Sequence, residues 1–89
     1  MNRRVQYTEQ VARFVDDYMP ASDRETFLRI VDRITDEPEG EGTHLVYTND
    51  PVTRGAWEDH VMVHYVVTRS FVVVIETDVY DASRGFNEY

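Results

Sequence analysis

The chain has 89 residues, 42% hydrophobic and 29% charged, the mix of one small globular domain with no room for a second. It holds no cysteine, which excludes a disulfide framework, a thiolate zinc site and a cysteine nucleophile. The net charge is −8 and every basic residue is arginine; residues 1–35 carry six of each sign, so the whole excess falls in residues 36–89.

Such an acidic surface repels phosphate at range and attracts basic proteins. The longest unbroken apolar run, Phe71 to Ile75, is too short to span a membrane. No apolar stretch follows Met1-Asn2-Arg3-Arg4, so a signal peptide is not expected. A soluble, cytoplasmic protein with no membrane association is the expectation. A core this thin gains stability from a second chain, a homodimer included.

Arg3 to Tyr7 reads as a short first strand, and Thr8 as the N-cap of a helix. Val11, Phe14, Val15 and Tyr18 then fall at i, i+3, i+4, i+7, an apolar stripe along one helical face. Pro20 ends that helix. Ser22-Asp23-Arg24-Glu25 reads as a capping box opening a second helix. Phe27, Ile30, Val31 and Ile34 repeat the helical spacing, with Arg33 in the last turn as the helix dipole prefers. Two antiparallel helices joined by a tight link follow.

Asp36 to Gly42, with one proline, two glycines and four acids, makes a solvated loop; Gly40 and Gly42 read as turn formers. Thr43 to Thr48 reads as a strand, and Asn49-Asp50-Pro51 turns the chain. Trp57 to Thr68 and Phe71 to Tyr80, rich in valine and aromatics, are the last two strands, with Thr68-Arg69-Ser70 as their turn. The period of two places Trp57, Val61, Val63, Tyr65 and Val67 on one face, toward the helices. His60, Met62 and His64 take the other face, beside Glu76, Asp78 and Tyr80. Trp57, Tyr65 and Phe71 are expected in the core. Phe86 and Tyr89, in the polar tail 81–89, are expected to dock on the domain or a partner.

This order of elements resembles the RelE/ParE superfamily of small toxins over roughly Val5 to Tyr80. The carriers are Val5-Gln6-Tyr7-Thr8-Glu9, Ile34-Thr35-Asp36-Glu37-Pro38-Glu39-Gly40, Leu45, Trp57, and the hairpin Val63-His64-Tyr65-Val66-Val67 with Phe71-Val72-Val73-Val74-Ile75. The resemblance implies an α+β fold, β-α-α-β-β-β, with both helices on one face of a small antiparallel sheet. It implies a type II toxin–antitoxin system, in which the toxin cleaves mRNA on the ribosome or poisons DNA gyrase and an antitoxin neutralises it. The terminal tyrosine of ribosome-dependent members aligns with Tyr80. Their central-strand arginine falls at or near Met62, so it is absent here, and the lysines before that strand are absent too; only Arg54 is basic there.

RNA cleavage by a 2′-hydroxyl needs a base, an acid and a cation near the phosphate. His60 and His64 are the candidate base and acid, Tyr80 a stacking platform, and Arg54 or Arg84 the phosphate ligand. Opposing this, Glu76 and Asp78 share the proposed face; unit charges ~4 Å apart interact by about 4 kcal/mol at an effective dielectric of ~20. His60 and His64 lie ~13 Å apart along an extended strand and cannot share one metal ion. No metal and no cofactor are expected. Two functions follow: a RelE/ParE-type toxin, or a non-catalytic acidic module on the same scaffold that binds a basic protein or mimics nucleic acid.

Overall fold

The computed structural model describes residues 3–80. The elements run β1 (Arg4–Tyr7), α1 (Glu9–Asp17), α2 (Ala21–Asp36), β2 (Thr43–Leu45), β3 (Thr53–Glu58), β4 (Val61–Val67) and β5 (Phe71–Val79). Both helices lie on one face of a single sheet with strand order β1-β5-β4-β3-β2. The expected α+β layering is found. The sheet has one strand more than the sequence suggested, and it is mixed: β1 pairs parallel to β5, and every other pair is antiparallel. The tail 81–89, with the expected anchors Phe86 and Tyr89 and the candidate Arg84, lies outside the described residues.

α1 starts where expected, with the Thr8 side chain accepting from the Val11 N–H. Val11 is buried, and Phe14 and Val15 pack beside the core. Tyr18 leaves the predicted stripe and is 72% exposed, because the helix ends at Asp17 and Met19 takes the buried position instead. α2 opens two residues earlier than the capping box implied. Pro20 is its N-cap residue, with no side-chain cap. Ser22 therefore lies inside the first turn, where its carbonyl accepts from Thr26 Oγ1. Phe27, Ile30, Val31 and Ile34 are buried as the spacing predicted.

The largest correction concerns the strand expected over Trp57–Thr68. It is two strands, β3 and β4, folded at Asp59 and His60. Asp59 adopts φ 54°, a left-handed conformation that aspartate tolerates better than most residues. This turn pairs Glu58 with Val61 and Trp57 with Met62. Trp57 thus changes face and is 52% exposed instead of lying in the core. Phe71 too sits on the face away from the helices, half-buried, since its neighbours Val72 and Val74 take the core positions. Tyr65 is fully buried as expected.

Val61, Val63, Tyr65, Val72, Val74 and Ala56 form the sheet side of the core, against Phe27, Ile30 and Ile34 of α2. Each such side chain contributes roughly 1.5–3 kcal/mol on full burial. The Tyr65 hydroxyl donates to the Pro38 carbonyl at 2.6 Å, so the loop after α2 is pinned to β4 and Pro38 is buried rather than solvated.

Burial raises the phenol of Tyr65 above its ordinary range; burial and then the charge of Asp32 do the same for Tyr7. A raised folded-state value means that the stability it contributes is complete below the unfolded value of ~10 and is lost as pH rises through the folded value. Tyr65→Phe is therefore expected to lower stability at pH 7 by about 1–3 kcal/mol, through the orphaned Pro38 carbonyl, and to flatten the loss of stability in alkali. Urea titrations at pH 7 and at pH above 10 measure both; an unchanged alkaline slope contradicts this account.

Candidate functional site

On the face of the sheet opposite the helices the side chains form rows that cross the strands, exposed at His44 and Trp57 and buried at Thr53 and Asp78. The central row is His44 on β2, Gly55 on β3, His64 on β4 and Glu76 on β5, each directly opposite the next. On one side lies the row Trp57, Met62, Asp78; on the other, Thr53, Val66, Val73 and Gln6.

Two local features assemble the central row. The first is Gly55. A β-carbon there would stand 2.6 Å from His44 Nε2 and 3.1 Å from His64 Cδ2. The missing side chain lets both imidazoles lean over one bare patch of backbone. The second is a bulge in β5. Tyr65 faces Val74, but His64 faces Glu76, so Ile75 is the extra residue. Bulges of this kind re-aim side chains. Here the bulge brings Glu76 beside His64, with Oε1 2.8 Å from Nδ1.

The sequence-derived candidates separate. His64 and Tyr80 belong to the open side. His60 does not join them: it sits in the β3–β4 turn, and its Nε2 lies 2.6 Å from Oδ1 of the buried Asp23 on α2. Arg54 pairs with Tyr65 and so points to the helix side, where Nη2 donates to Thr43 Oγ1 at 2.9 Å. Met62, where the resemblance places an arginine, lies on the open face between Trp57 and Asp78. Glu76 stands opposite His64 and Asp78 opposite Met62, while Tyr80 lies farther along, its N–H donating to the His60 carbonyl. His44 was missed because it precedes the hairpin; the signal was Gly55, a glycine in a strand, which marks a close approach.

Among the described residues no cluster of three or more histidines and carboxylates is arranged to hold a metal ion. The site's chemistry is that of its own side chains: two imidazoles, one held by a carboxylate, on a surface rimmed by Trp57. A groove of about 340 Å³ between α1, α2 and β1, lined by Tyr7, Val15, Phe27 and Leu28 among others, lies on the helix side and contains none of the histidines.

No protein-family profile matches the sequence, and no curated protein does. Solved structures do match. A chain of the toxin–antitoxin complex RelBE2 from Mycobacterium tuberculosis superposes with a TM-score of 0.75 at 15% identity, covering 89% of this chain and 99% of that one. The archaeal RelE–RelB complex from Pyrococcus horikoshii gives 0.70 at 22% identity, over 89% and 96%. The DinJ–YafQ toxin–antitoxin complex of E. coli gives 0.61 at 14% identity, over 96% and 100%. Two helices on one face of a five-stranded mixed sheet are thus, in this chain, a RelE-like fold.

Gly55→Ala tests the meeting of the two rings. The exposed His44 ring is free to swing away, so stability should change by less than about 1 kcal/mol while the His44 imidazole resonances shift strongly and those of His60 stay. Unmoved His44 signals in a ¹⁵N-edited spectrum would contradict the geometry.

Proposed function

We propose that this protein is the toxin of a toxin–antitoxin pair and that it cleaves RNA on the open face of its sheet. The observation that carries the reading is the central row, in which His44 and His64 share the bare backbone at Gly55 and Glu76 holds His64. The fold adds support, since it is that of chains found in toxin–antitoxin complexes.

The chemistry is internal transesterification. One imidazole takes the proton from a ribose 2′-hydroxyl as its oxygen attacks the adjacent phosphorus. The P–O5′ bond breaks, and the other imidazole, in its protonated form, gives a proton to the leaving 5′-oxygen. The products are a 2′,3′-cyclic phosphate and a 5′-hydroxyl. No metal and no cofactor enters. Glu76 orients His64 and stabilises the imidazolium, the role a carboxylate plays behind a catalytic histidine elsewhere. Tyr80 and Trp57, at the rim, offer aromatic faces on which a base stacks.

His60 and Arg54 take structural parts in this reading. His60 ties the β3–β4 turn to α2 through Asp23, and Arg54 braces β2 against β3 through Thr43. The partner expected is an antitoxin protein, with the ribosome and its message as the setting of the reaction. A gyrase poison or a purely acidic binding module has no use for paired imidazoles, and each is an outcome of the test below.

Induced expression should arrest growth and leave cleaved messages with cyclic phosphate ends. His64→Ala or His44→Ala should slow cleavage by about 10²–10⁴-fold, the usual contribution of a positioned acid or base, and relieve the arrest. His60→Ala should reduce stability and leave cleavage per folded molecule within a few fold. Arrest that persists without RNA cleavage, or that survives His44→Ala and His64→Ala together, would overturn the assignment.

A further inference from the structure

The strands' far end, at the β4–β5 turn, differs in charge from the rest of the molecule. Arg4 opens β1 opposite Phe71, and its backbone N–H donates to the Ser70 carbonyl. Arg3 Nε donates to the Thr68 carbonyl at 2.9 Å. Arg69 is the exposed centre of the turn between those two carbonyls. Three arginines therefore meet in one place on a chain whose net charge is −8.

The other described arginines are occupied. Arg13 binds Glu9, and Arg29 and Arg33 bind Glu58. Arg24 donates to the Val15 and Met19 carbonyls, and Arg54 to Thr43. Arg3, Arg4 and Arg69 make no ion pair with any described acid. Two described acids adjoin segments that reach this end: Asp36, one residue past the Thr35 carbonyl that accepts from the Arg3 N–H, and Asp50, two before Val52, whose carbonyl accepts from the Val67 N–H. The Asp50 carboxylate is already taken by the Val52 and Thr53 N–H groups and the Thr53 hydroxyl.

The cluster is continuous with the candidate site. Val5 packs on the core, so Arg4 points to the open face, alongside Phe71. From His64 along β4 to Thr68 is four residues, or ~13 Å of strand. Between lie Val66, Val73 and Thr53, neutral and low. An arginine beside an aromatic face at the end of an uncharged track is how single-stranded nucleic acid is held: cations follow the backbone and rings take the bases.

We infer that Arg3, Arg4 and Arg69, with Phe71, form the phosphate clamp for a single-stranded RNA whose chain runs along β4 and β5 to the His44–His64 row. The inference rests on reading that row as the site of RNA cleavage. It supplies the cation missing from the row and from Met62. It also explains how an acidic protein holds a polyanion: the strand is gripped at the one described end where the arginines lack acidic partners, and the Asp78 row lies beyond the reacting phosphate.

The test is binding of a fluorescein-labelled single-stranded RNA decamer to the full chain, by anisotropy, across salt concentrations. Each lost phosphate contact lowers the slope of log K against log salt by ~0.7 for single strands. Arg4→Ala with Arg69→Ala should weaken binding by about tenfold at low salt and flatten the slope by about 1.4. Arg13→Ala, on α1, should leave both unchanged. His44→Ala with His64→Ala should keep the parent's salt slope, since it leaves Arg4 and Arg69 in place. If the parent binds with this Arg4- and Arg69-dependent slope but leaves messages uncut on induced expression, the clamp stands and the cleavage reading falls. If RNA is cleaved and the arginine pair leaves affinity and slope unchanged, the clamp falls alone. The clamp also falls if the parent does not bind the decamer, or if the pair weakens capture of an acidic partner protein and not of RNA.

Discussion

One constraint governs this molecule: a single sheet face must bury Val61, Val63, Tyr65, Val72 and Val74 against Phe27, Ile30 and Ile34. In a chain this short one such cluster, completed by Val11, Met19, Val31 and Ala56, is the core of the described residues. Because strand side chains alternate, sealing one face commits the other to the outside. The open row of His44, His64 and Glu76 is therefore a consequence of packing on the far side of the same strands. The turn at Asp59 serves the same end: by reversing the chain after Glu58 it keeps Ala56 inward and turns Trp57 outward.

The central row departs from regular sheet geometry at two points, Gly55 and the bulge at Ile75. From the β4–β5 turn the ladder begins with Val67 opposite Val72 and Val66 opposite Val73. Continued without interruption, that register would set His64 opposite Ile75 and send Glu76 inward. The extra residue at Ile75 shifts the ladder by one, so Glu76, Asp78 and Tyr80 emerge on the side of His64 while Thr77 and Val79 turn inward. Gly55, weak as a strand former, is tolerated in β3 because its bare backbone admits two rings. Local rules are broken at these positions and the surrounding packing holds them in place.

Much of the fold was legible because it rests on periodicity. The spacing of Phe27, Ile30, Val31 and Ile34, and the alternation of Val61, Val63 and Tyr65, specify a helix and a strand that meet. Two features resisted. The β3–β4 turn carries no Gly, Pro or Asn-Gly signal, only an aspartate in a left-handed conformation, so Trp57–Thr68 reads as one strand. That single missed turn misplaced Trp57, put His60 on the wrong face and hid β3. The parallel pairing of β1 with β5 joins segments more than sixty residues apart, which local pattern does not encode. Of the candidate site, His64 and the Glu76 opposite it were visible in the alternation. His44 was not, because its meeting with His64 depends on strand order and on Gly55.

The account stands on the claim that the helix-free side of the sheet is the working surface. Chemical-shift mapping of the full chain with a non-cleavable single-stranded RNA, its 2′-hydroxyls replaced by 2′-methoxy groups, tests this most directly. The account predicts perturbations at His44, Gly55, Trp57, His64, Glu76 and Phe71 and at the arginine end of the sheet, Arg4 and Arg69, with α1 and the outer side of α2 silent. Perturbations gathered on Leu28, Val15 and Tyr18, with the histidine row unmoved, would contradict it.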